Sequence, residues 1–198
     1  WLLAAPAFAV LHVVTSRPRK RACWEGGLVL VGLALALAPW SIRNYRATGH
    51  WVVTTLWLGP SLYDGLNPNA TGDSDLSFYD RDRLMAGGMS EYEVNRHYTR
   101  LAVDYAKAHP GHAVRLALAK LWRFWEPWPN AAPFEGGWAE LAVAVYFVPV
   151  AAFAVLGWWA CRRDPWKWML TIGPVLYFSA IHAVFVGSLR YRLPVEYP

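Results

Sequence analysis

Long apolar runs with almost no charge are the feature that most constrains how this chain can fold. Residues 22–40, 138–160 and 168–187 each contain no more than one acidic or basic side chain. A transmembrane helix needs about 20 mainly apolar residues, so each run is long enough to cross a bilayer. Residues 1–14 read as the second half of a further membrane helix. The runs therefore predict an all-α polytopic membrane protein with about four transmembrane helices.

The distribution of charge supports the same class of protein. The chain has a net charge of +5 at pH 7, and its basic residues stand in short clusters at the ends of the apolar runs. This placement indicates membrane orientation rather than nucleic-acid binding, so no nucleic-acid partner is expected. Cys23 and Cys161 fall at the predicted cytoplasmic ends of helices, where a reducing compartment keeps thiols unpaired.

Two short basic connections predict the orientation in the membrane. The connections are TSRPRKR at 15–21 and CRRDPWK at 161–167, and the positive-inside rule places both in the cytoplasm. Residues 41–137 and the corner from Arg190 to Arg192 then lie together on the opposite face. This predicts three regions: membrane helices at 1–40, an extracytoplasmic or interfacial region at 41–137, and a helix pair with its outer corner at 138–198.

The region 41–137 is too long to be a simple connection and is predicted to be helices and loops. The stretch LYDGLNPNATGDSD has the composition of loops and turns. Ser90 and Glu93 form a capping box for a helix that begins near Glu91. His109-Pro110 should end it, because proline suits only the first turn of the next helix. An apolar stripe is expected at helical spacing: Val94, Tyr98, Leu101 and Tyr105.

The following helix, at about 111–125, is predicted to be amphipathic. Its apolar side is expected to hold Leu116, Leu118, Leu121, Trp122, Phe124 and Trp125, opposite a basic side of Arg115, Lys120 and Arg123. The segment is too short and too charged to cross a bilayer. Its aromatic and basic composition is typical of a helix that lies along a membrane surface.

The first candidate binding residues stand at the outer end of the last apolar run. Arg190, Tyr191 and Arg192 place two guanidinium groups around an aromatic ring, and guanidinium forks bind phosphate oxygens bidentately. Topological anchoring by the arginines, with an interfacial tyrosine, is the alternative. His182 lies about two turns earlier and is expected to face the helix bundle, because a histidine in contact with lipid is costly.

A second candidate group follows the second span on the same predicted face. Arg43, Asn44 and Tyr45 would add a basic, hydrogen-bonding wall to an outer pocket. Interfacial anchoring is the alternative here too, but the outer face usually avoids excess arginine, which favours a binding role.

Signatures of soluble enzymes and metal sites are missing from the sequence. The chain has no Walker A loop, no GxGxxG after a strand, no HExxH and no GxSxG. A cluster of four carboxylates does not fit a calcium loop, which needs a glycine at its sixth position and a glutamate at its twelfth: Asp73, Asp75, Asp80 and Asp82. No cofactor is indicated, and the question of a divalent cation stays open.

Four stretches in order, separated by the apolar runs, carry a family resemblance. They are PWSIRNYRATG, LYDGLNPNATG, LAKLWRFWEPW and RYRLPVE. Together they resemble the C-terminal half of bacterial GT-C glycosyltransferases of the RgtA/B/C/D-like or dolichyl-phosphate-mannose-protein mannosyltransferase-like group, which includes relatives of the lipid A aminoarabinose transferase. The second stretch departs from the more usual Gly-Asn-Asn-Pro of the group at Asp64, Gly65 and Leu66.

The resemblance implies an enzyme of the bacterial plasma membrane. It would transfer a sugar from a polyprenyl-phosphate carrier to a lipid, glycan or protein acceptor on the outer face. The family's catalytic acid lies in the first outer loop, which none of these residues matches, so no catalytic residue is assigned. We expect the chain to be part of a longer protein and to be inactive alone.

Other interpretations of the sequence stay open. A polysaccharide ligase-like transferase would bind a lipid-linked phosphate in the same place. A transporter or flippase subunit predicts broken spans and inverted repeats, and a membrane scaffold gives no reason for arginines to gather on the outer face.

Overall fold

The computed structural model describes residues 2–128 and 137–186, apart from the side chains of residues 139 and 140. Within these ranges the chain is all-helical, with eight helices and no strand. It divides into two compact units, Trp1–Leu56 and Trp57–Pro198. The helical class is therefore confirmed, while the three predicted topological regions stay a prediction.

The first unit consists of two helices, α1 (Ala4–Thr15) and α2 (Arg19–Thr48). They pack against each other through small side chains, with Ala9 and Ala22 buried. Charge joins the same pair, because Glu25 of α2 accepts hydrogen bonds from His12 of α1 at 2.6 Å and from Arg21 at 2.7 Å. The predicted basic connection is shorter than expected, since α2 already begins at Arg19.

Helix α2 passes through Pro39 and continues to Thr48, although the apolar run 22–40 had predicted that the membrane helix ends at residue 40. A proline costs a helix one backbone hydrogen bond without forcing it to stop. The helix stops at Gly49, whose φ of 72° is the left-handed conformation that glycine adopts without strain. With 30 residues, α2 is about 45 Å long and exceeds the hydrocarbon thickness of about 30 Å.

The second unit begins with four helices: α3 (Leu58–Gly65), α4 (Ser77–Asp82), α5 (Glu91–Ala108) and α6 (Pro110–Trp125). Its core is aromatic, with Phe78 and Tyr98 buried beside Val94. The Ser90 capping box and the break at His109-Pro110 are confirmed. Helices α3 and α4 were not predicted from the sequence, and Ala102 lies in the buried stripe of α5 in place of the predicted Leu101.

Two apolar helices complete the second unit, α7 (Trp138–Cys161) and α8 (Pro165–Val184). The carboxylate of Asp164 caps α8 by accepting hydrogen bonds from the backbone N–H groups of Trp166 and Lys167 at 3.0 and 3.2 Å. The rings of Trp158 and Trp168 lie 6.2 Å apart across the connection. The short linker therefore turns the chain directly from α7 into α8.

Two of the described helices, α2 and Leu141–Cys161 within α7, are long and apolar enough to cross a membrane. Only 11% and 6% of their most apolar stretches are buried, whereas a core helix of a soluble protein is mostly covered. These helices indicate a membrane protein. The four predicted spans are not confirmed, because α1 has 12 residues and α8 is made less apolar by Lys167, His182 and its prolines.

Candidate functional site

The loop that follows α3 is built as a tight turn by the side chain of Asn67. Its amide donates hydrogen bonds to the backbone oxygens of Tyr63 at 2.8 Å and Asp64 at 3.2 Å. Its side-chain oxygen accepts from the backbone N–H of Asn69 at 2.8 Å. Asparagine is common in turns because its side-chain amide forms hydrogen bonds with backbone groups that lack a partner in a helix or strand. The stretch LYDGLNPNATG thus contains the last turn of α3, residues 62–65, and the ordered turn that follows it.

The carboxylate of Asp64 ties this turn to the segment that leads into α4. The side chain is 5% exposed. One of its oxygens accepts a hydrogen bond from the Ser74 hydroxyl at 2.7 Å, and the other accepts from the backbone N–H of Asp75 at 2.8 Å. A buried carboxylate needs such partners to offset its lost hydration. From the end of α3, Asp64 therefore holds the segment at Ser74 and Asp75 in place.

Lys120 is buried at the centre of the candidate site, on the face of α6 between Leu116 and Phe124. Its exposed fraction is 0%, and its Nζ donates a 2.6 Å hydrogen bond to the carbonyl oxygen of Val184 at the end of α8. Burial lowers the pKa of Lys120 to about 8, against a smaller opposing effect of the Asp64 carboxylate. The prediction that Lys120 lies on the exposed basic side of α6 is wrong.

Gly65 brings the turn, α6 and α8 together at one point. A Cβ on this residue would lie 2.7 Å from the Val184 carbonyl oxygen and 2.9 Å from Lys120 Nζ. Real side chains do not approach a backbone oxygen so closely, so the contact requires glycine. Three segments that are distant in the sequence therefore meet at Gly65, Lys120 and Val184.

His182 lies beside this point and faces protein, as the sequence analysis expected. It is 7% exposed, and its ring is stacked on Phe124 with 5.1 Å between centroids. Nδ1 lies 2.7 Å from the backbone oxygen of Val186. Because a carbonyl oxygen can only accept, Nδ1 carries a proton in this contact.

A salt bridge extends the site toward the acidic loop. Arg123 Nη2 lies 2.9 Å from Asp73 Oδ2. Two further carboxylates of the acidic cluster have partners of their own: Asp75 accepts from the Ser77 backbone at 2.9 Å, and Asp82 in α4 accepts from the Tyr98 hydroxyl at 3.1 Å. Over residues 2–128 and 137–186, no group of three or more potential ligand side chains could hold a metal ion.

The remaining predicted binding residues fall into two groups. Arg190, Tyr191 and Arg192 lie outside the described residues; Arg190 is four positions after Val186 in the sequence. The second predicted group, Arg43 with Asn44 and Tyr45, belongs to the first unit.

In that unit the group holds the end of α2 to the segment that follows it. Asn44 is 8% exposed and donates to the Val52 oxygen at 2.9 Å. The Arg43 guanidinium lies 4.9 Å from the Trp40 ring centroid, and the ring of Tyr45 stacks on Trp51 at 4.7 Å. These contacts give each side chain a local structural role.

Sequence reasoning missed Lys120 and Gly65 as members of the site. The signal for Lys120 was its spacing, four residues from Leu116 on one side and from Phe124 on the other. Lys120 therefore lies on the same helical face as two apolar residues.

Comparison with known proteins adds no relative to this picture: no family model, curated protein or solved structure matches the chain. The GT-C resemblance therefore stays a prediction that rests on the four stretches themselves.

Proposed function

We propose that this chain is part of an integral-membrane glycosyltransferase that takes a sugar from a polyprenyl-phosphate carrier. One observation supports the proposal above the others. Two of the four stretches that resemble GT-C enzymes meet at Gly65 and Lys120, against the end of the helix that leads to the fourth stretch. Motifs that are distant in sequence and adjacent in space are expected of one functional site. The acceptor is a lipid, a glycan or a protein.

The proposal includes a topology of four spans in the bacterial plasma membrane. Helices α1, α2, α7 and α8 would cross the bilayer, with the basic connections 15–21 and 161–167 in the cytoplasm. Residues 41–137 and the corner at Arg190–Arg192 would lie on the outer face. Helix α8 has 20 residues, a length of about 30 Å, which matches the hydrocarbon thickness.

The proposed chemistry is an inverting displacement at the anomeric carbon of the donor sugar. The acceptor hydroxyl oxygen forms the new bond while the bond from that carbon to the phosphate oxygen breaks. The hydroxyl proton passes to a carboxylate that acts as general base, which the resemblance assigns to a loop outside the matched residues. Arg190 and Arg192, with Tyr191, would stabilise the charge that develops on the leaving phosphate.

Lys120 has a positioning role in this proposal. It is buried too deeply to touch a ligand, and its hydrogen bond holds the last turn of α8. Cations at the carboxyl end of a helix interact favourably with its free carbonyls. His182 and the group Arg43, Asn44 and Tyr45 are weaker candidates for contact with the donor.

Binding of decaprenyl phosphate to the chain in nanodiscs tests the phosphate site. We expect a double variant, Arg190→Ala with Arg192→Ala, to bind it at least tenfold more weakly, because each charge-assisted hydrogen bond contributes roughly 1.5 kcal/mol or more. Neutral decaprenol should bind wild type and variant alike. The matched control is Arg162→Ala with Arg163→Ala, which removes the same charge from the other end of α8.

Sugar transfer is the second part of the test and needs a protein that also carries the first outer loop. We expect transfer from a decaprenyl-phosphate sugar that weakens in the Arg190 and Arg192 variant. Unchanged binding in that variant contradicts the phosphate site. Binding without any cleavage of the donor would instead favour a transporter or flippase.

A further inference from the structure

Helix α6 has two apolar faces, and only one of them is covered by protein. The covered face holds Leu116, Lys120 and Phe124, which are 4%, 0% and 0% exposed. On the opposite side of the helix, a ridge formed by Val114, Leu118 and Trp122 is 61%, 62% and 65% exposed. Both rows have a spacing of four residues, so each forms a continuous stripe. A folded helix rarely exposes such a ridge without a partner.

The carboxyl-terminal half of α6 runs antiparallel to the end of α8. Lys120 Nζ contacts the oxygen of Val184, whereas Trp125 Nε1 donates to the Ser179 hydroxyl at 3.1 Å. Later residues of α6 therefore contact earlier residues of α8. In the proposed topology α8 ends at the outer face, so its earlier residues lie deeper in the membrane. The carboxyl-terminal end of α6, which contacts them, is then the deepest part of α6.

A contact with α7 fixes that depth independently. The ring of Trp125 lies 6.4 Å from the ring of Phe147. Phe147 is inside the apolar stretch Leu141–Cys161 that is long enough to cross a membrane. The last turn of α6 is thus level with residues of a membrane helix. Trp122 is on the turn before Trp125 and points away from the protein.

We propose that α6 enters the outer bilayer interface at an angle, with its ridge of Val114, Leu118 and Trp122 in contact with lipid. The occupant is lipid rather than a second protein surface because α6 contacts α7 through Trp125 and Phe147, and the apolar stretch Leu141–Cys161 of α7 is itself only 6% buried. The charge of α6 agrees with this, since the helix contains no acidic residue. Arg115, exposed beside the ridge, can extend to phosphate headgroups.

This inference rests on the membrane assignment within the proposed function and is independent of sugar transfer. Helix α6 then has a structural role, because lipid on its outer face holds in place the helix that carries Lys120 on its inner face. The contact of α6 with lipid thereby fixes the depth of Lys120 relative to the membrane surface. It also fixes the depth of the end of α8, which Lys120 binds.

Spin-label accessibility in vesicles of phosphatidylcholine and phosphatidylglycerol tests the proposal. Cys23 and Cys161 are first replaced by serine, and single cysteines are introduced as Val114→Cys, Leu118→Cys or Trp122→Cys. Labels in lipid collide often with oxygen and rarely with a water-soluble nickel complex. We expect this pattern at all three positions, increasing toward position 122 because the end of the helix is deepest.

Two further labels are matched controls. Leu156→Cys, on an exposed position of α7, reports on the membrane assignment, and Asp104→Cys, on an exposed position of α5, reports on water. Lipid-like collisions at 156 with water-like collisions on the ridge overturn the inference and leave the membrane assignment standing. Low collision with both reagents on the ridge means protein cover and also overturns it. Water-like collisions at 156 overturn both.

Discussion

The Nζ of Lys120 donates a 2.6 Å hydrogen bond to the carbonyl oxygen of Val184, although the two residues are 64 positions apart in the sequence. The donor is fully buried, and the acceptor is the last residue of α8. A side-chain cation thus meets the end of a helix whose last carbonyls have no helical partner. This contact holds α6 against the carboxyl-terminal end of α8, which in the sequence comes shortly before Arg190.

The close approach of Gly65 to this contact leads to the first prediction. Gly65→Ala places a methyl group 2.7 Å from the Val184 oxygen, and the backbone cannot yield as a flexible side chain would. We expect a loss of about 1–3 kcal/mol of stability, as for overpacking in a core. Thermal unfolding in detergent micelles, followed by circular dichroism, measures it.

Gly111→Ala is the matched control, because nothing lies within 4 Å of a Cβ at that helical position. Alanine there should be neutral or stabilising by up to about 1 kcal/mol. Equal melting temperatures for the two variants would contradict the close packing at Gly65.

The burial of Lys120 predicts a pH dependence of stability. Its pKa is lowered from 10.5 to about 8 in the folded chain, so the unfolded chain binds more protons between these two values. Stability therefore increases as the pH rises from about 8 toward 10.5. Above that range the cost of burying the charged lysine, about 3 kcal/mol, no longer applies. Chemical unfolding in micelles at several pH values measures this slope.

The control for this slope is Lys120→Met, which keeps the apolar stem and cannot titrate. The difference in unfolding free energy between wild type and variant should change in favour of wild type above pH 8. Measurements should stop below about pH 9.5, because tyrosines of the unfolded chain ionise near pH 10. Parallel profiles for the two proteins would contradict a lowered pKa.

The sequence predicted helices well where the information is local. Ser90 and Glu93 are three residues apart, so the capping box that begins α5 can be read directly, and His109-Pro110 marks its end. The position of Lys120 could not be predicted in this way. Its burial depends on Val184 and Asp64, which come from distant parts of the chain. A lysine in an amphipathic helix is normally assigned to the exposed side.

The end of α2 shows the same limit. Proline and tryptophan at 39 and 40 are common at the boundary of a span, yet the helix continues to Thr48. The side chain of Asn44 reads as a polar group available for binding, whereas its amide is used by a carbonyl of the returning chain. Only the folded arrangement of residues 50–54 reveals this.

The capping box itself supplies the next prediction. The Ser90 hydroxyl accepts a hydrogen bond from the backbone N–H of Glu93 at 3.3 Å, and the Glu93 carboxylate accepts from the backbone N–H of Ser90 at 2.8 Å. Ser90→Ala should cost about 1 kcal/mol. Ser90→Asn retains a capping oxygen and should melt close to wild type. If both variants melt alike, capping does not hold α5 in place.

A buried hydroxyl in the aromatic core gives a further test. Tyr98 is 0% exposed, and its hydroxyl donates to Asp82 at 3.1 Å. Burial and this carboxylate both raise the pKa of Tyr98. Tyr98→Phe removes the donor to Asp82 Oδ2, while Arg81 still donates to Oδ1 at 3.3 Å, and should cost about 1–3 kcal/mol. Tyr79→Phe, which removes a weaker contact to the sulfur of Met85, should cost less. A reversed order would contradict the assigned bond.

Asn44 can be assigned to structure or to ligand binding by one comparison. Its amide holds the Val52 carbonyl, and Trp40 Nε1 holds that of Thr54 at 2.6 Å. Asn44→Ala should therefore increase backbone hydrogen exchange in residues 50–54, because the returning segment loses the hydrogen bonds that the Asn44 amide donates to Val52 and Thr54. Arg46→Ala, at an exposed position in the same last turn, should leave exchange there unchanged. Decaprenyl phosphate binding measured on the same variants completes the comparison. A structural Asn44 changes exchange alone, whereas weaker binding with unaltered exchange would make Asn44 a ligand of the donor.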